Sequence, residues 1–254
     1  MLHDALTIAG DAYRDANRRR SVVFFLLFIA VLQVAVFALY GDISLGIEDK
    51  LLKDSGMAMV MVVGLFSALT AAFQIPRELR ERTAMTLFAK PMGRESYILG
   101  KVIGVGGLAL RNMIIVALGV LWVLNMKGLP KFGEFSVAYL QSFLLSFAAA
   151  VDLVALSVLL SLFFTEGAVV LLSIITYFVG NATFMLAVSD SGMAMVAKVF
   201  KYVLPSFFLL DIKSEAAAGL SVSPTYMCLS VAYGLAYAVA LVALSMVLFR
   251  KRDL

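Results

Sequence analysis

Apolar residues in this chain come in long unbroken runs, not in the alternating steps of a half-buried surface. Six runs reach the roughly 20 residues that a helix needs to cross a bilayer. They cover residues 21–41, 56–75, 102–124, 137–164, 167–188 and 225–249. Pro76 is expected to end the second. Only Thr165 and Glu166 separate the fourth run from the fifth, which predicts a tight helical hairpin. Residues 2–16 place Leu2, Leu6, Ala9, Tyr13 and Ala16 on one helical face and His3, Asp4, Thr7, Asp11 and Arg14 elsewhere. That spacing predicts an amphipathic helix lying on the cytoplasmic membrane surface. Residues 189–224 hold one apolar stretch, 193–204, which carries Lys198 and Lys201 and stops at Pro205. It is too short to span, so an interfacial or re-entrant helix on the outer face is expected, with residues 207–210 dipping in beside it. The expected fold is an all-α membrane protein of six transmembrane helices, forming one domain over residues 1–254.

Composition narrows the class. Apolar residues make up 62% of the 254 positions and charged residues 15%, against roughly half and a quarter in soluble domains. No stretch is left for a large soluble domain. The single cysteine, Cys228, excludes a disulfide within the chain. The first 20 residues are polar, and the first apolar run is long enough to remain as a span instead of being cleaved as a leader.

Lys and Arg set the orientation. With the N-terminus inside, the inner connections carry Arg14, Arg18, Arg19, Arg20, Arg77, Arg80, Arg82, Lys90, Arg94, Lys101, Arg250, Lys251 and Arg252, which is 13. The outer connections carry Lys50, Lys53, Lys127, Lys131, Lys198, Lys201 and Lys213, which is 7. Both termini are therefore expected in the cytoplasm. The net charge of +4 then reports topology, not nucleic-acid binding.

Catalytic chemistry has few parts to work with. The one histidine is His3. No HExxH, GxSxG or phosphate-binding GxxxxGK[ST] occurs, so no metal, nucleophile or nucleotide site is expected in this chain. Gly104, Gly106 and Gly107 lie inside an apolar run, where no dinucleotide loop can form. With Gly100 they suit close helix packing. Two charges fall within spans, Arg111 and Asp152. They lie about 14 and 18 Å from the cytoplasmic ends of adjacent antiparallel spans. A buried charge in lipid needs a partner, so an Arg111–Asp152 pair is expected, serving either packing or the transport path. Asn112 and Asn181 read as interhelical hydrogen-bonding residues.

The longest strongly charged segment, residues 77–101, joins the second and third runs. Residues 77–90 have a helical composition, Pro91 ends that helix and Gly93 permits a turn. Residues 94–101 then start a helix that continues into the third span. Glu81, Thr83, Leu87, Pro91, Arg94, Gly100 and Lys101 stand in the order found in the cytoplasmic segment of type-2 ABC transporter permeases. The pattern departs at Arg82, where glycine is common. The chain resembles that family along its whole length, nearest to the permeases linked to multicopper-enzyme maturation. The resemblance implies a non-catalytic membrane subunit of an exporter in a prokaryotic inner membrane. It implies pairing with a second permease copy and docking of a separate ATP-binding subunit, which alone holds ATP and Mg. Glu78, Glu81, Arg82, Thr83, Leu87, Pro91 and Arg94 would form the coupling helix against that ATPase. Thr165 and Glu166 would form a second, smaller contact. The rival readings are an ion-coupled carrier, an intramembrane enzyme, and a membrane scaffold or assembly factor without an ATPase. The two halves show no inverted repeat and no acidic or histidine cluster lies near an interface. The abundance of Met, Phe and Val in the spans leans toward an amphipathic or lipid-like cargo.

Overall fold

A computed structural model describes residues 2–41, 48–80, 93–126, 134–187 and 204–250. These residues form helices and no strand. The elements are α1 (Leu2–Arg18), α2 (Arg20–Gly41), α3 (Glu48–Leu69), α4 (Ala71–Arg80), α5 (Arg94–Met126), α6 (Glu134–Ser161) and α7 (Glu166–Ala187). A 3-10 turn (Phe207–Leu210), α8 (Lys213–Ala217) and α9 (Pro224–Arg250) follow. Among the described residues, five stretches are long and apolar enough to cross a membrane: Arg20–Leu39, Asp49–Glu78, Arg94–Met126, Ser136–Ser161 and Pro224–Arg250. The expected fifth span falls on α7, of which Glu166–Ala182 counts as a shorter apolar helix.

α6 is the hub, packing against α3, α4, α5, α7, α8 and α9. Its Ala148, Ala149, Ala150, Ala155 and Ser157 are buried, and such small side chains let neighbouring backbones come close. α2 lies at the opposite extreme. Val23, Phe24, Leu27, Phe28, Val31 and Val34 are all exposed on it. An apolar face of that extent is stable against hydrocarbon and not against water.

Two expectations are corrected. Pro76 does not end the second span, because α4 runs through it to Arg80. The interruption falls at Thr70, whose hydroxyl and amide both donate to the Ser67 carbonyl, at 2.7 and 3.1 Å. Pro76 costs one helical hydrogen bond. That loss is offset by the burial of Ala71, Ala72 and Ile75 and by a Gln74 Nε2 bond to the Ala12 carbonyl at 2.8 Å.

α1 buries only part of the expected face: Ala9 and Ala16 are buried and Tyr13 is half-buried, but the buried stripe is rotated away from Leu6. Leu6 is 57% exposed, while Ala5, Ile8, Ala9, Ala12 and Ala16 are buried. This small-residue face packs along α5 because Gly100 and Gly104 leave room there. A Cβ on Gly104 would sit 2.5 Å from the Ala9 carbonyl oxygen and 2.8 Å from the Ala12 Cβ. One on Gly100 would sit 2.7 Å from the Ile8 Cβ. Backbone proximity, not the size of the apolar side chains, selected the face.

The described residues just before α9 pack inward. Phe207 and Leu210 are buried in the main core with α6 and α9 residues, and a Cβ at Gly180 would collide with the Pro205 carbonyl. Ser206 N donates to Tyr233 Oη at 2.9 Å, and Tyr226 Oη donates to the Leu209 carbonyl at 3.0 Å. The Gln141 amide bonds the Val222 backbone in both directions at 3.0 Å, as a strand neighbour would. The short helix expected around residues 193–204 lies almost wholly outside the described residues.

Candidate functional site

The Arg-rich end of the bundle gathers α4, the start of α5, the α6–α7 turn and the end of α9. Here it is called the basal end. α5 has 33 residues, about 50 Å of helix, well beyond a hydrocarbon core of about 30 Å. Its first turns therefore stand clear of the apolar zone alongside α4. Glu78 on α4 accepts hydrogen bonds from Tyr97 Oη at 2.6 Å and Lys101 Nζ at 2.5 Å. Lys101 also lies over the Tyr97 ring, 5.6 Å from its centroid, and Tyr97 stacks on Phe249 of α9. Lys101 is only 4% exposed, so this carboxylate–ammonium pair is largely removed from water. Two outer ties flank it. Arg80 pairs with Glu166 at 2.7 Å, and Arg94 Nη1 donates to the Arg250 carbonyl at 3.2 Å.

Of the residues expected to dock an ATPase, Glu78 and Arg94 belong to this clasp. Glu81, Arg82, Thr83, Leu87 and Pro91 lie outside the described residues. Thr165 is exposed and its carbonyl accepts the Val169 amide at 2.9 Å, opening α7. Glu166 meets Arg80, so the hairpin tip and the stem of the charged segment touch. Tyr97, Lys101, Arg80 and Arg250 were not singled out for this role. The one available signal was that Lys101 and Arg80 are basic residues on the two helices flanking Glu81 to Pro91.

The expected Arg111–Asp152 pair does not form. Arg111 Nη1 donates to Asn17 Oδ1 at 2.7 Å and to Tyr13 Oη at 3.1 Å, and Nη2 donates to Asn112 Oδ1 at 2.7 Å. Its guanidinium also lies over the Tyr13 ring, 5.5 Å from the centroid. Asp152 is fully buried on the side of α6 facing α9. A Cβ on Gly234 would lie 3.5 Å from its Oδ2. Among the described residues neither of its oxygens has a side-chain hydrogen-bond partner, and the Ala238 backbone is the polar group that bears on it. The two charges face different neighbours: Tyr13 and Asn17 of α1 and the adjacent Asn112 take Arg111, while Asp152 faces α9. Asn112 donates across to Ser67 Oγ at 2.9 Å, as an interhelical bond. Asn181 donates to the Tyr177 carbonyl of its own helix at 2.9 Å.

Between α3 and α7 lies a groove of about 400 Å3 backed by Leu153 of α6. Phe25, Val62, Leu65, Phe66, Ile174 and Phe178 make its walls. Lys213 is the one charged residue lining it. Lys213 pairs with Asp211, whose Oδ1 also accepts the Lys213 backbone amide at 3.2 Å. Tyr177 Oη and Lys213 Nζ both point at Met61 Sδ, at 3.7 and 3.9 Å. A larger hollow between α5 and α6, lined by Trp122, Tyr139 and Phe143, carries no charged residue.

The chain matches no protein-family signature and no curated protein at significant similarity.

Proposed function

We propose that this chain is the membrane subunit of an ATP-driven ABC exporter, with hydrolysis on a separate ATP-binding partner and a second permease copy completing the pathway. In this reading α7 is a sixth span, the basal end faces the cytoplasm of a prokaryote, and both termini lie there. The observation that carries it is the clasp. Residues 81–92 leave from α4 and return into α5, and the ends of both helices are bonded to each other. The same stem is tied to α7 through Arg80–Glu166 and to α9 through Arg94. A partner that grips 81–92 would therefore pull on four helices at once, one of which walls the groove. Packed helices switch between discrete arrangements and do not deform smoothly, so such a pull suits alternating access.

The test is copurification. The tagged full-length chain, extracted in mild detergent from its native host, is expected to bring down an ATPase bearing a phosphate loop. Glu81→Arg should release that ATPase while membrane insertion stays normal. A chain that never retains an ATPase removes the reading.

A further inference from the structure

The groove between α3 and α7 combines features that point to a ligand. Its walls are apolar, and its volume of about 400 Å3 falls in the range of about 300–1,000 Å3 typical of ligand sites. Val62, Ile174 and Phe178 are exposed along it, so it opens sideways, toward hydrocarbon. Lys213 and Tyr177 bring an ammonium and a hydroxyl to one spot, and both are aimed at a single thioether. Thioether sulfur is a weak acceptor, so two good donors share one poor partner. Lys213 has a carboxylate in Asp211, but that carboxylate sits two residues away and keeps the Lys213 backbone amide as a second donor. An incoming oxygen anion can therefore share the ammonium with Asp211, whose Oδ1 keeps the Lys213 backbone amide.

Depth adds to this. Met61 lies seven residues beyond Asp54, the last charged residue of α3 before its apolar stretch, about 10 Å along the helix. Charge-assisted hydrogen bonds gain strength where apolar walls hold water back. A bare anion has little reason to enter the groove, whereas one carrying an alkyl chain fills it.

We infer that this groove binds a long-chain amphiphile with an anionic oxygen head, the tail lying between α3 and α7 and the head held by Lys213 and Tyr177. The site stands on the chemistry of the groove, while the amphiphile's role as cargo rests on the exporter reading above.

The test uses the full-length protein in nanodiscs, with empty nanodiscs as background. The probe is cis-parinaric acid, a fluorescent long-chain carboxylate, compared with its methyl ester. Saturable binding of the acid is expected, with the ester about tenfold weaker, as loss of a charge-assisted hydrogen bond implies. Lys213→Ala should weaken the acid about tenfold and Tyr177→Phe about threefold, while Lys213→Arg retains it. Asp211→Asn should tighten binding by freeing the ammonium, and Val62→Trp should block the groove. If Lys213→Ala does not fold, Asp211→Asn and Val62→Trp carry the test. Lysophosphatidic acid should displace the probe and inorganic phosphate should not.

Equal affinity for acid and ester overturns the site, as does displacement by inorganic phosphate. An opposite sign at Asp211 and Lys213 would mean a cationic ligand and also overturns it. Binding without any change in ATP hydrolysis by the copurified complex leaves the site standing and removes its role as cargo. Binding by a chain that retains no ATPase removes the exporter reading alone.

Discussion

Glu78→Gln is the most informative single change at the basal end. It keeps the shape of the side chain and removes the carboxylate charge facing Lys101 Nζ at 2.5 Å and Tyr97 Oη at 2.6 Å. The Lys101 side chain is 5% exposed and that of Glu78 is 22% exposed. Breaking a fully buried pair from one side costs about 3–5 kcal/mol, because a charge is left stranded. Water reaching Glu78 screens part of this, which brings the expected loss to about 2–3 kcal/mol. For a chain of this size that is a fall in Tm of about 4–12 °C. Lys101→Met should cost less, since the Glu78 left behind can still reach water and Tyr97. The double variant should be milder than the sum of the singles, because an uncharged pair strands nothing. The assay is thermal unfolding in detergent, followed by the monodisperse fraction on size exclusion. Additive effects, or a Glu78→Gln protein that melts with wild type, would sink the claim that a desolvated ion pair locks α4 to α5.

Gly104→Leu should lift α1 off α5. In a Cys228→Ser background, Ala12→Cys is expected to resist maleimide in the parent and to react once Gly104 is replaced; resistance in both would refute the docking. Asp152→Val should raise Tm, since it removes two buried oxygens that no described side chain bonds and relieves about 1–3 kcal/mol of desolvation; a fall would point to a stabilising contact with the Ala238 backbone. Arg111→Leu should destabilise, and its effect should add to that of Asp152→Val, because the two side chains share no partner; strong coupling in a double-mutant cycle would restore the pairing idea. A proline at Thr83 should leave insertion intact and uncouple ATP hydrolysis from transport in the reconstituted complex; unimpaired transport would exclude 81–92 as the coupling element.

Much of the helical layout was legible in the sequence. Unbroken apolar length is a local property, and a helix satisfies its own backbone within a single run. Five stretches long enough to span, and the turn at Thr165–Glu166, follow from that alone. The Gly100–Gly104 pair likewise announced a close helix contact, because only absent side chains permit one. What it could not announce was the partner. Ala9 and Ala16 of α1 were expected to be buried, but whether Leu6 or Ala5, Ile8 and Ala12 join them depends on the surface of α5. Pro76 was misread for a related reason, since its penalty is local but the burial of Ala71, Ala72 and Ile75 that offsets it is not.

Side-chain direction divides what the chain alone determines from what tertiary structure decides. Counting residues from a helix end gives an expected depth for Arg111 and Asp152, and nothing more. Rotation about the helix axis is set by neighbours, and those neighbours turned Arg111 toward Tyr13 and Asn17 and Asp152 toward Gly234. The groove shows the same limit more strongly. Met61, Leu153, Tyr177 and Lys213 come from four separate segments, and no spacing along the chain relates them. Sequence determined which residues must leave water, because transfer from water depends on composition and length. Only the packed bundle decided which of those residues meet, because that depends on which helix faces close on one another and where, as between α3 and α7, they leave a gap.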